Sequence, residues 1–258
     1  MAGLMGELAR DLAGLPRLRA APALVLFLDY DGTLVPFQPT PEEASPDPEL
    51  LTLLRALAQR PRTQVHVVSG RPPAVLEAWL GALPIALHAE HGLWSRPTPG
   101  TAWRPHAAPD LGWQAAVRAL YRATVAVTPG SLVEEKTAGL AWHYRMVESH
   151  LGDLRAAELI TQLRGLLDGA AAEVLLGDKV IEVRPRGVHK GVLVAPVLAA
   201  APLGTVLVGI GDDQTDEDLF AALPPDAVAI HVGATPSRAP LHLPDVGEVR
   251  AFLWAILA

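Results

Sequence analysis

Along the first ninety positions, short, largely apolar runs alternate with segments whose apolar residues recur every three or four. ALVLFL (23–28), QVHVVS (64–69) and IALHA (85–89) are of the first kind, and PELLTLLRALAQR (48–60) and PPAVLEAWLGAL (72–83) of the second. Continuous apolar strands are buried on both faces, and strands that alternate with helices predict a parallel sheet. The alternation resumes after Lys190 with a helix, the strand TVLVGI (205–210), a helix from about Asp216, the strand AVAIHV (227–232) and a last helix near 246–257. Both ends of the chain therefore read as a doubly wound α/β fold with a parallel sheet.

The middle follows another pattern. A Pro/Gly/Thr-rich entry (RPTPGTAWRP, 96–105) leads to a helix (111–124), two strands around a turn (SLVEEKTAGLAWHYRM, 131–146), a second helix (151–169) and the strand AEVLLG (172–177). Strand pairs and helices in that order predict an α+β module inserted into the core. The expected division is a core of 1–97 and 181–258 with an insert of 98–180, and hinges at Arg96–Gly100 and Asp178–Arg184. Closure of the insert over a substrate would then exclude stray water.

Composition narrows the partners. The chain has 258 residues, half of them hydrophobic, and 28 acidic against 21 basic side chains for a net charge of -7. That sign argues against nucleic acid, which calls for a basic stripe. The absence of cysteine excludes disulfides and thiolate metal sites and is consistent with a reducing cytoplasm. Glu7 and Asp11 fall where a secretory signal would be apolar, so no export signal is expected. The twenty uncharged residues 192–211 have the length of a membrane helix, but Pro196, Pro202 and Gly204 break them into a short helix and a buried strand. A soluble, cytoplasmic monomer without a membrane partner is the expectation.

Chemistry gathers at predicted strand ends. FLDYDGTL (27–34) ends an apolar run in Asp29 and Asp31, followed by Gly32 and Thr33. The spacing fails for an EF-hand, which needs Gly at the sixth and Glu at the twelfth position. VHVVSGR ends in Ser69, Gly70 and Arg71, VLVGIGDDQTDED carries Asp212, Asp213 and Asp216, and GVHKG places Lys190 at a helix start. Ligands of open parallel sheets bind beyond the carboxyl ends of the strands. So many carboxylates in one pocket would raise one another's pKa values unless a hard cation neutralised them, and all-oxygen donors select Mg²⁺. A magnesium beside a lysine is a phosphate site.

This set resembles the haloacid dehalogenase superfamily of phosphotransferases, with its DxDGT aspartate nucleophile, from about Leu24 to Leu257. The resemblance implies that Asp29 attacks phosphorus and that Asp31 protonates the leaving alcohol and later activates water. An ordinary carboxyl near 3.9 is hardly protonated at pH 7, so that role calls for an upward shift. Ser69 and Lys190 would hold the phosphoryl oxygens. Asp29, Asp212 and the main-chain oxygen of Asp31 would bind Mg²⁺, with Asp213 and Asp216 orienting them.

Adding AEHG (89–92), VEEKTAGLAWHYR (133–145) and IEVRPRGVHKG (181–191), the chain is similar to the trehalose-6-phosphate phosphatase family. That likeness implies a disaccharide phosphate as substrate, with Glu134, Lys136, Arg145, Lys179 and Glu182 in the insert binding sugar. Gly32, Thr33, Gly70, Arg71 and His91 in the core would complete the substrate site. Read alone, Glu134 and Lys136 share one face of a strand in an exposed hairpin, and His91 is a structural histidine; Trp142, His143 and Arg145 would line the pocket, with Trp142 reading equally as core of the insert. Val35, Pro36, Phe37 and His189 depart from the family pattern. The competing functions are hydrolysis of sucrose phosphate or mannosyl phosphoglycerate, a phosphomannomutase-type transfer and non-catalytic sugar-phosphate sensing.

Overall fold

A computed structural model describes residues 11–12, 15–106 and 108–257. Its strands are β1 (Ala23–Leu28), β2 (Thr63–Val68), β3 (Ala86–Ala89), β4 (Trp94–Arg96), β5 (Arg104–Pro105), β6 (Leu132–Glu135), β7 (Leu140–His143), β8 (Ala172–Gly177), β9 (Val180–Pro185), β10 (Thr205–Gly211), β11 (Val228–Val232) and β12 (Leu241–Leu243). They form a sheet of order β12-β11-β10-β1-β2-β3-β4-β5 and a second of order β6-β7-β9-β8. From β12 to β3 all neighbours are parallel, and β4 and β5 are added antiparallel. No helix among the described residues is long and apolar enough to cross a membrane.

β1 is the centre of the first sheet, and all six of its residues are buried. Leu24, Leu26 and Leu28 pack with Leu50, Leu53, Leu54 and Leu57 of the helix Pro48–Gln59 and with Phe252 and Leu253 of the helix Val246–Leu257. On the opposite face Val25 and Phe27 meet Val194 and Leu219. Helices thus cover both faces, as the apolar runs require. The chain winds outward from β1 in both directions, which puts a switch point between β1 and β10.

The chain divides into two compact units, Met1–His106 with His189–Ala258, and Ala107–Val188. The boundaries differ from the expected 97/98 and 180/181 for a structural reason. β5, formed by the last two residues of the Pro/Gly-rich entry, prolongs the first sheet, and β9 is an inner strand of the second sheet, paired with β7 and β8. Parts of the segments expected as hinges lie in strands, while 97–100 is an exposed loop. Arg96 is 1% exposed in β4 and donates to both carboxylate oxygens of Glu77 at 2.8 and 3.0 Å, and Asp178–Arg184 forms the β8–β9 turn and most of β9.

In the second unit the faces of the sheet differ sharply. Trp142, Ile181 and Val183 pack with Val117 and Tyr121 of the helix Gln114–Ala126 and Leu159 and Leu163 of the helix Ser149–Leu166. Trp142 is therefore core, its ring stacked on Tyr144 at 4.7 Å between centroids. The alternate positions of β6, β7 and β9 carry the polar set described below, as strand periodicity demands.

A histidine ladder crosses the first sheet outside the strand-end cluster. His66 Nδ1 lies 3.0 Å from His88 Nε2, His88 Nδ1 2.6 Å from Ser95 Oγ, and Ser95 Oγ 2.6 Å from His106 Nε2. One direction of donation satisfies every link with neutral rings: His106 Nε2–H to Ser95, Ser95 O–H to His88, and His88 Nε2–H to His66. Burial lowers His66 to about 4 and holds His88 well below its usual value. The unfolded chain therefore takes up protons below about pH 6.5 that folded His66 refuses, and stability falls as pH drops from there toward 4. Denaturant titrations should show roughly 2 kcal/mol less stability at pH 5 than at pH 7.5 from His66 alone. A His66→Val/His88→Val variant should show a flatter dependence, and an identical slope would count against the ladder as its source.

Candidate active site

β10, β1 and β2 are neighbours, so their carboxyl ends bring Asp212, Asp29 and Ser69 together although these lie far apart in sequence. After β1 the chain makes a compact turn. The carbonyl of Tyr30 accepts from Leu34 N at 2.8 Å and Val35 N at 3.0 Å, and that of Val35 accepts from Gly32 N at 2.8 Å. Gly32 has φ +81°, and a Cβ there would sit 2.3 Å from Asp212 Oδ2. Only glycine meets both conditions. Thr33 Oγ1 then donates to Asp212 Oδ1 at 3.0 Å, which fixes the turn against the end of β10.

Lys190, 1% exposed, is forked between two carboxylates, 2.5 Å from Asp29 Oδ1 and 2.8 Å from Asp216 Oδ1. The second oxygen of Asp216 accepts from the amides of Asp212 and Asp213 at 3.1 and 3.3 Å. Gly211 makes this possible, because a Cβ there would fall 2.0 Å from Asp216 Cγ. Asp213 Oδ1 accepts from the amide and hydroxyl of Thr215 at 2.8 and 2.7 Å.

The charge balance is uneven. Burial opposes charge on Lys190, yet Asp216 and Asp29 hold it well above the usual lysine value. Burial pushes Asp29 well above the usual carboxyl range, with Lys190 acting against it and Asp212 and Asp213 adding to it. Asp212 is raised to about 7, by burial first and then by Asp216 and Asp213. Asp213 goes the other way, to about 2, because Lys190 and the bonds from Thr215 outweigh its burial. One lysine does not neutralise this group, and a cation would.

The donors fit a hard ion. Asp29, Asp212 and Asp216 each offer an oxygen within 4.8 Å of the others. Asp216 is already engaged by Lys190 and two amides, which leaves Asp29 and Asp212 as the carboxylates with capacity. The carboxylate of Asp31 is turned elsewhere.

Arg71 holds that carboxylate from both sides, Nε to Oδ2 at 2.9 Å and Nη2 to Oδ1 at 2.6 Å. Its guanidinium also lies 4.8 Å from the ring centre of Trp79. Ser69, fully buried, accepts at Oγ from Arg71 N at 3.1 Å. The turn after β3 closes the rim with three consecutive left-handed residues, Glu90, His91 and Gly92, at φ 48°, 58° and 95°. Amides of Glu90 and His91 donate to the carbonyls of Arg71 and Ser69 at 3.0 and 2.9 Å. A Cβ on Gly70 would meet the His91 ring at 2.8 Å. His91 is thus built against the Ser69–Arg71 segment.

In the second unit Glu134, Ala141 and Glu182 are cross-strand partners in one row of β6, β7 and β9. The small Ala141 separates the two acids. Lys136 Nζ donates to Glu182 Oε2 at 2.6 Å, and His143 Nε2 lies 2.8 Å from Glu134 Oε2. Burial works to raise Glu134, but His143 and Lys136 leave it lowered overall. Two other expected residues join a separate group. Lys179 pairs with Asp153 at 2.6 Å over the Tyr144 ring, and Arg145 pairs with the carboxylate and carbonyl of Asp178, both at 2.9 Å. Their side chains are committed to the β8–β9 turn and the helix Ser149–Leu166.

Trp79 and Thr215 were not singled out from the sequence. Thr215 had a signal in DDQTD, a short polar residue two places after an aspartate. Trp79 had none, because an aromatic residue in an amphipathic helix reads as core.

The fold resembles that of a haloacid dehalogenase-like hydrolase. A haloacid dehalogenase-like hydrolase from Bacteroides thetaiotaomicron superposes with a TM-score of 0.58 at 13% identity, over 88% of this chain and 98% of that one, a likeness of fold. The family model described as Trehalose-phosphatase matches residues 27–245, and the chain belongs to that family. It is similar to the C-terminal domain of trehalose-6-phosphate phosphatase from C. albicans, with a TM-score of 0.89 and 30% identity over 96% of each chain. It is also 41% identical over 229 residues to the bifunctional trehalose-6-phosphate synthase/phosphatase of Thermoproteus tenax, covering 89% of this chain. It spans about a third or less of the curated relatives it matches, 31% of that protein and 26% of a Dictyostelium discoideum one.

Proposed function

We propose that the chain is a magnesium-dependent phosphatase that hydrolyses trehalose 6-phosphate to trehalose and phosphate. The observation that carries the reading is the buried Asp29–Lys190–Asp216 fork beside Asp212, at the ends of the adjacent strands β1 and β10 of a chain in the trehalose-phosphatase family. An oxygen of Asp29 attacks phosphorus, a bond to the aspartate forms, and the bond to the sugar oxygen breaks. Asp31 gives its proton to the departing alkoxide and then takes one from the water that releases phosphate. To do so it must leave Arg71, whose guanidinium becomes available to the substrate. Lys190 and Ser69 hold phosphoryl oxygens while charge redistributes. Mg²⁺, held by Asp29 and Asp212 with the main-chain oxygen of Asp31, would supply charge neutralisation at the phosphoryl group.

Glu134, Lys136 and Glu182 supply acceptors and a donor suited to a row of sugar hydroxyls. Lys136→Ala should cost about 10- to 100-fold in kcat/KM toward trehalose 6-phosphate, the loss of one charged hydrogen bond. A small aryl phosphate should be hydrolysed at nearly the wild-type rate. The function is tested by phosphate release across trehalose 6-phosphate, sucrose phosphate and mannosyl phosphoglycerate, with and without chelator. Faster release from either alternative overturns the substrate, isomerisation of a hexose monophosphate added to the same panel would indicate a transferase, and no release at all would favour a sensor.

A further inference from the structure

The turn that carries Asp29 and Asp31 pairs part of its own backbone internally, and one carbonyl is served from outside it. Tyr30 and Val35 carbonyls accept amides within the turn. The carbonyl of Leu34 instead accepts two N–H groups of Arg250, from Nε at 3.0 Å and Nη2 at 2.9 Å. The guanidinium's remaining nitrogen, Nη1, donates to Asp47 Oδ2 at 2.7 Å. Asp47 uses its other oxygen to cap the helix Pro48–Gln59, accepting from Leu50 N at 2.8 Å. One side chain, 14% exposed, therefore joins the last helix, the cap of another helix and the turn, bridging 216 residues of sequence.

We propose that Arg250 is a positioning residue for the phosphatase centre, acting as a strut that sets the height of the turn relative to the end of β10. Leu34 follows Thr33, whose hydroxyl touches Asp212, and lies two residues after Gly32, whose Cα is packed against the same carboxylate. Where Leu34 is held thus decides how Asp29 and Asp31 face Asp212 and Lys190. The planar guanidinium suits the task because it serves one carbonyl twice and a carboxylate once, whereas a lysine ammonium has no such fixed fork. A displacement of the reacting groups by about 1 Å is enough to cost on the order of 100-fold in rate.

The inference rests on the phosphatase reading, and two measurements keep the two apart. The first is steady-state phosphate release from trehalose 6-phosphate by the full chain. Arg250→Met is expected to lower kcat about 10- to 100-fold with KM within about threefold. Arg250→Lys should recover part of the loss. Asp47→Asn, which still caps the helix but holds Arg250 less firmly, should lose less. The second is amide hydrogen exchange, which needs no activity. Exchange at Gly32, Leu34 and Val35 should speed up in Arg250→Met while Leu26 in β1 stays protected. A purely structural role would lower the melting temperature and leave kcat of the folded protein unchanged, which overturns the proposal, as does unchanged exchange in the turn. If Arg250→Met fails to fold, Arg250→Lys and Asp47→Asn carry both measurements. Wild-type protein that releases no phosphate would remove the functional reading, and exchange would still decide the strut.

Discussion

Asp29→Asn is expected to reduce phosphate release to background, a fall on the order of 10⁴-fold or more, as for other nucleophiles that act as part of a unit. The replacement keeps the shape and an oxygen for Lys190, so the fold should survive. It removes the anionic oxygen that bonds to phosphorus in the proposed mechanism. In acid-quenched reactions with labelled substrate, wild-type protein should retain a phosphoryl group on the peptide bearing Asp29, and the variant should not. Turnover within tenfold of wild type would eliminate the covalent route and shift attention to direct attack by water.

Lys190→Met should have the second largest effect, and it should appear in stability as well as rate. Lys190 is the ammonium held by both Asp29 and Asp216. Removing it leaves two buried carboxylates without their counter-charge, and breaking a buried pair in this way costs about 3–5 kcal/mol. At roughly 2–4 °C per kcal/mol for a chain of this size, the melting temperature should fall by about 10 °C. The deficit should shrink as pH is lowered, because the two carboxyls can then fold in their neutral forms. An unchanged melting temperature would mean that Asp29 and Asp216 find other partners, and the charge balance described for the site would need revision.

Much of this was legible in the amino-acid order, for identifiable reasons. Strands buried on both faces leave largely apolar runs, so β1, β2, β3, β10 and β11 announce themselves, and residues directly after such runs fall at the carboxyl edge of the sheet. Asp29, Ser69 and Asp212 come together that way. Pairings that depend on side-chain direction were not legible. Arg71, expected on substrate, grips Asp31, and Lys179 and Arg145, expected on sugar, grip Asp153 and Asp178. Long flexible cations reach several acids of similar distance, and the linear order does not rank them. The unit boundaries were misplaced because a Pro/Gly-rich stretch reads as a linker even when two residues of it, Arg104 and Pro105, pair as a short edge strand. Arg250 had no signal, since its partners lie 203 and 216 residues away.

The place of β10 in the first sheet has a consequence for biosynthesis. β10 lies between β1 and β11, so one side of the most buried strand stays open until residues 205–211 have been made. A nascent chain that stops short of this point presents a fully apolar edge, the kind that invites pairing with other chains. Non-local pairing of this sort is also intrinsically slow. Chains truncated before Thr205 should collect in the insoluble fraction, while ribosome-released full chains gain sheet continuity and Lys190's two carboxylates in one late step.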